Sequence, residues 1–205
     1  MEISCPSPCA MARAQLAQGA AGVARLLAAR AAQGDAQDAE PLVVKAEIAR
    51  AANEPASELA AVRAAVEADP DSVPAQLALG RALFERGLTD QAIEALQEAA
   101  DLDPASYPAR LALGQALAFS GETDEAEESL HAAAQLAPSA AQPHLELARL
   151  KLDGEGDAQA ALQEAKLFLT LSTVPPPPGH PIHALVQRCE EALKGHAQAS
   201  VVQQK

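Results

Sequence analysis

The chain has 205 residues, a formal net charge of −13, 49% hydrophobic residues and only 2% aromatic ones. Surplus negative charge repels phosphate backbones, and without a basic stripe or aromatic stacking platforms the composition excludes a nucleic-acid partner. The apolar content is mostly Ala and Leu, which favour helices, with few of the β-branched and aromatic runs that build sheets. This predicts an all-α protein, and no apolar run approaches the ~18 residues of a membrane span.

The N-terminus, MEISCPSPCAMARAQ, lacks the apolar core of a secretory signal, which predicts the cytoplasm. Residues 3–34 contain no Asp or Glu but carry Arg13, Arg25 and Arg30, a pattern shared with organellar transit peptides. An Ala-rich first helix accounts for it more simply. Arg outnumbers Lys ten to five, a usage that suits a GC-rich bacterial genome. Residues 1–38 are predicted to be a helical cap or a degenerate copy of the repeat that follows, with Gly19 in its turn and Ala24, Ala28 and Ala31 on its second helix.

From residue 39 onward the chain repeats itself. Residues 39–72 form a weak copy whose turn is Asn53-Glu54-Pro55 and whose end is Pro70. Then DPDSVPAQLALGRALFERGLTDQAIEALQEAADLDP is followed by DPASYPARLALGQALAFSGETDEAEESLHAAAQLAP. Gly80 and Gly114, Gly87 and Gly121, Ala92 and Ala126, Leu96 and Leu130, and Pro104 and Pro138 each stand 34 apart. The copies are 39–72, 73–106, 107–140 and 141–173. The last carries Leu147, Ala148, Gly156, Ala161 and Phe168, with one inserted residue that the spacing places in the turn.

Local chemistry explains these residues. Gly inside a helix costs ~0.5–1 kcal/mol relative to Ala, so Gly80 and Gly114 are expected where two helices approach closely, with Ala92 and Ala126 opposite. Gly87 and Gly121 suit the left-handed conformation that ends a helix. Thr89 and Thr123, each followed by Asp, are expected to cap the second helix. Pro74 and Pro108 fit a first turn, and Pro104 and Pro138 stop a helix. A stiff linker at 174–180 follows, with Pro175 to Pro178 at its centre. Ile182, Leu185, Val186, Cys189 and Leu193 then recur at helical spacing, predicting a capping helix over 181–195 and a disordered tail over 196–205.

The 34-residue period and these positions resemble the tetratricopeptide repeat, whose pattern is W-x2-L-G-x2-Y, A-x3-F and P. One copy places Gln76, Leu79, Gly80, Leu83, Ala92, Leu96 and Pro104 there. The next places Arg110, Leu113, Gly114, Leu117, Ala126, Leu130 and Pro138. The small residues and the proline are kept, while Leu or polar residues replace the aromatics. The resemblance implies a right-handed superhelical solenoid of antiparallel helix pairs. It also implies a concave surface, lined by the first helix of each repeat, that holds a protein or peptide partner. At the family's groove places stand Val43, Leu77, Leu111 and Leu145, then Glu47, Arg81, Gln115 and Arg149, with Phe84, Phe119 and Leu152 nearby. The Leu row also reads as core between repeats. The Lys and Asn of the family's carboxylate clamp are absent at the matching positions, so the chaperone C-terminus that the clamp grips is not predicted.

Nothing points to chemistry. No Gly-rich phosphate loop, G-x-S-x-G or H-E-x-x-H occurs, and His131 and His144 have no catalytic companion in sequence. Cys5, Cys9 and Cys189 are not a disulfide framework, and with His180 and His183 they make a metal site only if the two chain ends meet. The expectation is therefore a non-enzymatic scaffold with no cofactor and no metal. The alternatives are a structural subunit of an envelope or motility assembly, or the docking part of a larger regulator. The oligomeric state is left open by the sequence.

Overall fold

A computed structural model of the protein describes residues 7–32 and 38–203. Residues 1–6, Cys5 among them, 33–37 and 204–205 lie outside them. All regular structure among the described residues is helical, and the chain divides into two compact units, Met1–Pro104 and Ala105–Lys205. No helix is long and apolar enough to cross a membrane.

The first unit contains three helix pairs: α1 (Pro8–Ala17) with α2 (Ala21–Ala31), α3 (Glu40–Ala51) with α4 (Pro55–Ala68), and α5 (Val73–Phe84) with α6 (Thr89–Leu102). The turn inside each pair uses one residue at positive φ: Gly19 at 78°, Asn53 at 57° and Gly87 at 73°. These stand 34 apart, so α1 and α2 turn as the later pairs do. Asn serves at 53 because its short polar side chain tolerates the left-handed region. Alanines fill most of the interior. Cys9, Ala12, Ala24 and Ala28 pack on Val44 and Ile48 of α3, while Ala46, Ala61, Val62 and Ala82 join α3, α4 and α5.

Ion pairs cross between helix pairs. Arg86 donates to Glu58 Oε2 at 3.1 Å and to the carbonyls of Ala82 and Pro55, and the Glu58 side chain is only 7% exposed. Arg25 donates to Glu54 at 2.7 Å.

The second unit contains α7 (Tyr107–Ser120), α8 (Thr123–Leu136), α9 (Gln142–Arg149), α10 (Ala158–Leu171) and α11 (Pro181–Gln203). Gly121 (φ 91°) and Gly156 (φ 72°) make its two tight turns. The inserted residue is not in the turn, where the spacing places it. It widens the end of the first helix into a π-helical turn over Leu150–Gly154, the usual way a helix absorbs one extra residue. α11 lays Ile182 and Leu185 on Leu145, Ala148, Ala165 and Phe168, and Cys189 on Ala158 and Ala161. The linker is clamped where the His180 ring stacks on Phe168 (centroids 5.5 Å apart) and His180 Nδ1 accepts from the Ile182 N–H at 3.2 Å. The backbone stays helical to Gln203, past residue 195 where the sequence predicts a disordered tail; Ala and Gln there are good helix formers.

One local expectation is corrected. Leu88 and Glu122 occupy the N-cap places, and Thr89 and Thr123 are the first helical residues without a side-chain cap bond. Each turn glycine needs one linking residue before the next helix, which moves the threonine inside. The atoms nearest the helix glycines come chiefly from another residue than the expected alanines. Leu96 and Leu130, one turn further on, cover Gly80 and Gly114, with the Ala92 carbonyl oxygen 3.1 Å from the place of a Gly80 β-carbon.

Candidate functional site

In the first unit the inner helices α3 and α5 bound a cleft of about 120 Å3. It brings together Val43, Glu47, Leu77 and Arg81, all at the family's groove places, with Arg50 and Pro74 beside them. Val43 is buried at 3% exposure against Ala39, Ala65 and Ala75, so it supports the cleft from the core instead of offering a surface. Leu77 and Phe84 are half-buried.

Arg13 of α1 completes this face, and the sequence reading passes over it. Its Nε donates to Glu47 Oε2 at 3.0 Å and its Nη1 to Glu40 Oε1 at 2.8 Å. Burial works against the guanidinium charge, but the two carboxylates outweigh it and raise the pKa further. Arg13, Glu47 and Arg81 share one register, each 34 from the next. That spacing was the available signal. Glu58, also on the cleft wall, is satisfied by Arg86, so both cleft carboxylates are neutralised by arginines.

In the second unit the predicted polar residues meet through Glu146. Gln115 and Gln142 donate to its Oε1 at 3.0 and 2.7 Å, and Arg149 donates to its Oε2 at 3.2 Å. Leu111 is half-buried. Leu145, at 4% exposure, lies under Ile182 and Leu185 and offers no surface, and half-buried Leu152 packs beside it. Phe119 at the end of α7 is 72% exposed.

Lys151, in the π-helical turn, bonds Glu127 of α8 at 2.6 Å and Glu155 at 2.9 Å. The Lys151 bond, opposed by some burial, lowers the Glu127 pKa, while both carboxylates raise that of Lys151 against its own desolvation. Cys9 and Cys189 are buried, and burial first of all pushes both thiols up, which makes them poor nucleophiles. Among the described residues no three His, Cys, Asp or Glu side chains gather into a metal-binding group.

Paired helices that turn at a fixed 34-residue period define a helical-repeat protein. Tetratricopeptide repeat families match over residues 43–107 and 83–150, and the chain belongs to the tetratricopeptide repeat family. Members of that family are protein-interaction scaffolds, and this is the class of the chain. No curated protein matches it in sequence. Among solved structures it is similar to PilW, a type IV pilus biogenesis factor, at 21% identity and a TM-score of 0.77, covering 95% of this chain and 91% of that one. PilF of Pseudomonas aeruginosa matches at 20% identity and a TM-score of 0.78, covering 95% and 86%. YrrB, described as a tetratricopeptide protein with an unusual peptide-binding site, matches at 18% and a TM-score of 0.67, covering 88% of each.

Proposed function

We propose that the chain is a non-enzymatic scaffold whose inner helices hold a segment of a partner polypeptide, with α3 and α5 forming the binding cleft of the first unit. The observation that carries this is the convergence of Leu77, Arg81 and Arg50 on one small cleft whose carboxylates are already engaged by Arg13 and Arg86. An apolar contact beside cations with fixed surroundings is what a peptide needs: Leu77 removes an aliphatic side chain from water, and the guanidinium groups donate to carbonyls or carboxylates. In the second unit Phe119 is the matching contact, a large exposed aromatic of the kind that anchors interfaces. The test is affinity capture from the native organism with wild type and with the Leu77→Glu/Leu111→Glu/Phe119→Glu variant, first shown by circular dichroism to be folded. Loss of a specific protein from the variant supports the reading; recovery of the same proteins with both sinks it.

A second reading is a structural subunit of an envelope or motility assembly. The backbone likeness to PilW and PilF, over 95% of the chain, favours it. The first reading goes with the cytoplasm and the second with the envelope, so cell fractionation separates them.

A further inference from the structure

We propose a second docking site, on the opposite side of α3 from Leu77, that takes an amphipathic helix of a partner protein carrying bulky aliphatic side chains and a carboxylate. The seam between α2, α3 and the start of α4 holds a cleft of about 510 Å3, within the size range of pockets that bind ligands. Its floor is aliphatic and small: Ala28 and Ala29 from α2, Leu42 and Ile48 from α3.

The repeat itself shows what sets this seam apart. At positions 34 residues later, Ala28, Ala29 and Ala49 become Val62, Arg63 and Leu83. The corresponding seam between α4, α5 and α6 sets Arg63, Gln76, Gln91, Glu94 and Glu98 around Leu79, Leu83 and Ala95, a more polar and acidic surface. The two seams enclose similar volumes, about 510 and 470 Å3, and the first departs from its successor in polarity.

Charge selects the occupant. Residues 7–32 carry three arginines and no acid in a chain of net charge −13. At the cleft rim Arg25 is held by Glu54, while Lys45 is exposed and makes no ion pair among the described residues. An ammonium with no ion pair among the described residues, beside an aliphatic floor, matches one carboxylate beside aliphatic anchors. A helix fits because alanine walls let a third helix approach closely, ridge into groove. A second copy of this chain is disfavoured by its own negative charge.

The probe is a labelled, end-capped peptide of about fifteen residues, long enough to hold helix, built of alanine with two leucines one turn apart and two glutamates. Saturable binding to the full chain is expected by fluorescence anisotropy. Filling the cleft with Ala29→Leu, or from the α4 wall with Ser57→Leu, weakens it by about tenfold or more, as loss of a buried anchor does. Lys45→Glu, or lysines in place of the peptide glutamates, weakens it similarly. Thermal melts of each variant establish folding, and the two filling variants act from different helices. The Leu77→Glu variant binds this peptide like wild type, which separates the site from the α3–α5 cleft. No saturable binding, or affinity unchanged by both filling variants, overturns the proposal. Self-association of the peptide-free chain that Ala29→Leu abolishes assigns the cleft to a second copy and overturns it too.

Discussion

Leu96 Cγ lies 2.5 Å from the place a β-carbon on Gly80 would occupy, and Leu130 Cγ stands 2.7 Å from the same place on Gly114. Both leucines are among the most deeply buried side chains, so neither has room to swing away. A methyl at either glycine therefore forces the paired helices apart. Gly80→Ala and Gly114→Ala are each expected to cost ~1–3 kcal/mol in urea denaturation, net of the better helix propensity of Ala. Gly80→Ala combined with Leu96→Ala is expected to cost less than the sum of the two single changes, because the smaller side chain relieves the clash. Additive losses contradict the packing.

These glycines also mark how far the sequence reads. The turns at Gly87 and Gly121 were legible because a positive φ leaves few residue choices, and the same spacing extended to Asn53 and Gly19. Which side chain covers Gly80 was not, because spacing names a helix face without saying how far the neighbouring helix has slid. The groove register was legible as a row, and Val43, Leu77 and Arg81 do meet at one cleft. Burial of Leu145 was not legible, since it depends on where α11 lands. Glu58 and Arg86 belong to no repeat pattern, and only three-dimensional contact pairs them.

That pair gives the next prediction. Arg86, just past α5, donates to Glu58 and the Pro55 carbonyl of α4 and to the Ala82 carbonyl of α5, so it ties the second pair to the third. Arg86→Met leaves a carboxylate at 7% exposure with no cation. Removing one partner of such a pair is expected to cost about 3 kcal/mol at neutral pH. Glu58→Gln on the Arg86→Met background should recover part of the loss in the same denaturation assay. No recovery means that the carbonyl contacts, not the ion pair, hold this junction.

Glu127 and Lys151 join α8 to the π-helical turn. The Glu127 pKa is lowered from 4.5, so its contribution is present above pH 4.5 and is lost as pH falls through the folded-state value. The Lys151 pKa is raised from 10.5, so its contribution is present below pH 10.5 and is lost as pH rises through the folded-state value. Between those limits the pair stabilises the turn. Glu127→Gln is expected to cost ~0.5–1 kcal/mol at neutral pH, the scale of a partly exposed pair. Below the folded-state pKa the difference from wild type should vanish. A difference that persists in acid means that packing, not charge, links these residues.

Phe119 and Leu145 are both predicted groove residues, yet the structure gives them opposite roles. Phe119 is 72% exposed and Leu145 only 4%. Phe119→Ser removes little that is packed, so stability should stay within ~0.5 kcal/mol of wild type, while partner capture falls if the aromatic is a contact. Leu145→Ser opens a hole beneath Ile182 and buries a hydroxyl, and is expected to cost more than ~2 kcal/mol. Thermal melts run beside the capture assay separate the two. Loss of capture with unchanged melting for Phe119→Ser marks a binding residue. If Phe119→Ser melts early, or captures the partner like wild type, the ring belongs to the fold or to solvent, and the second-unit contact must be sought elsewhere.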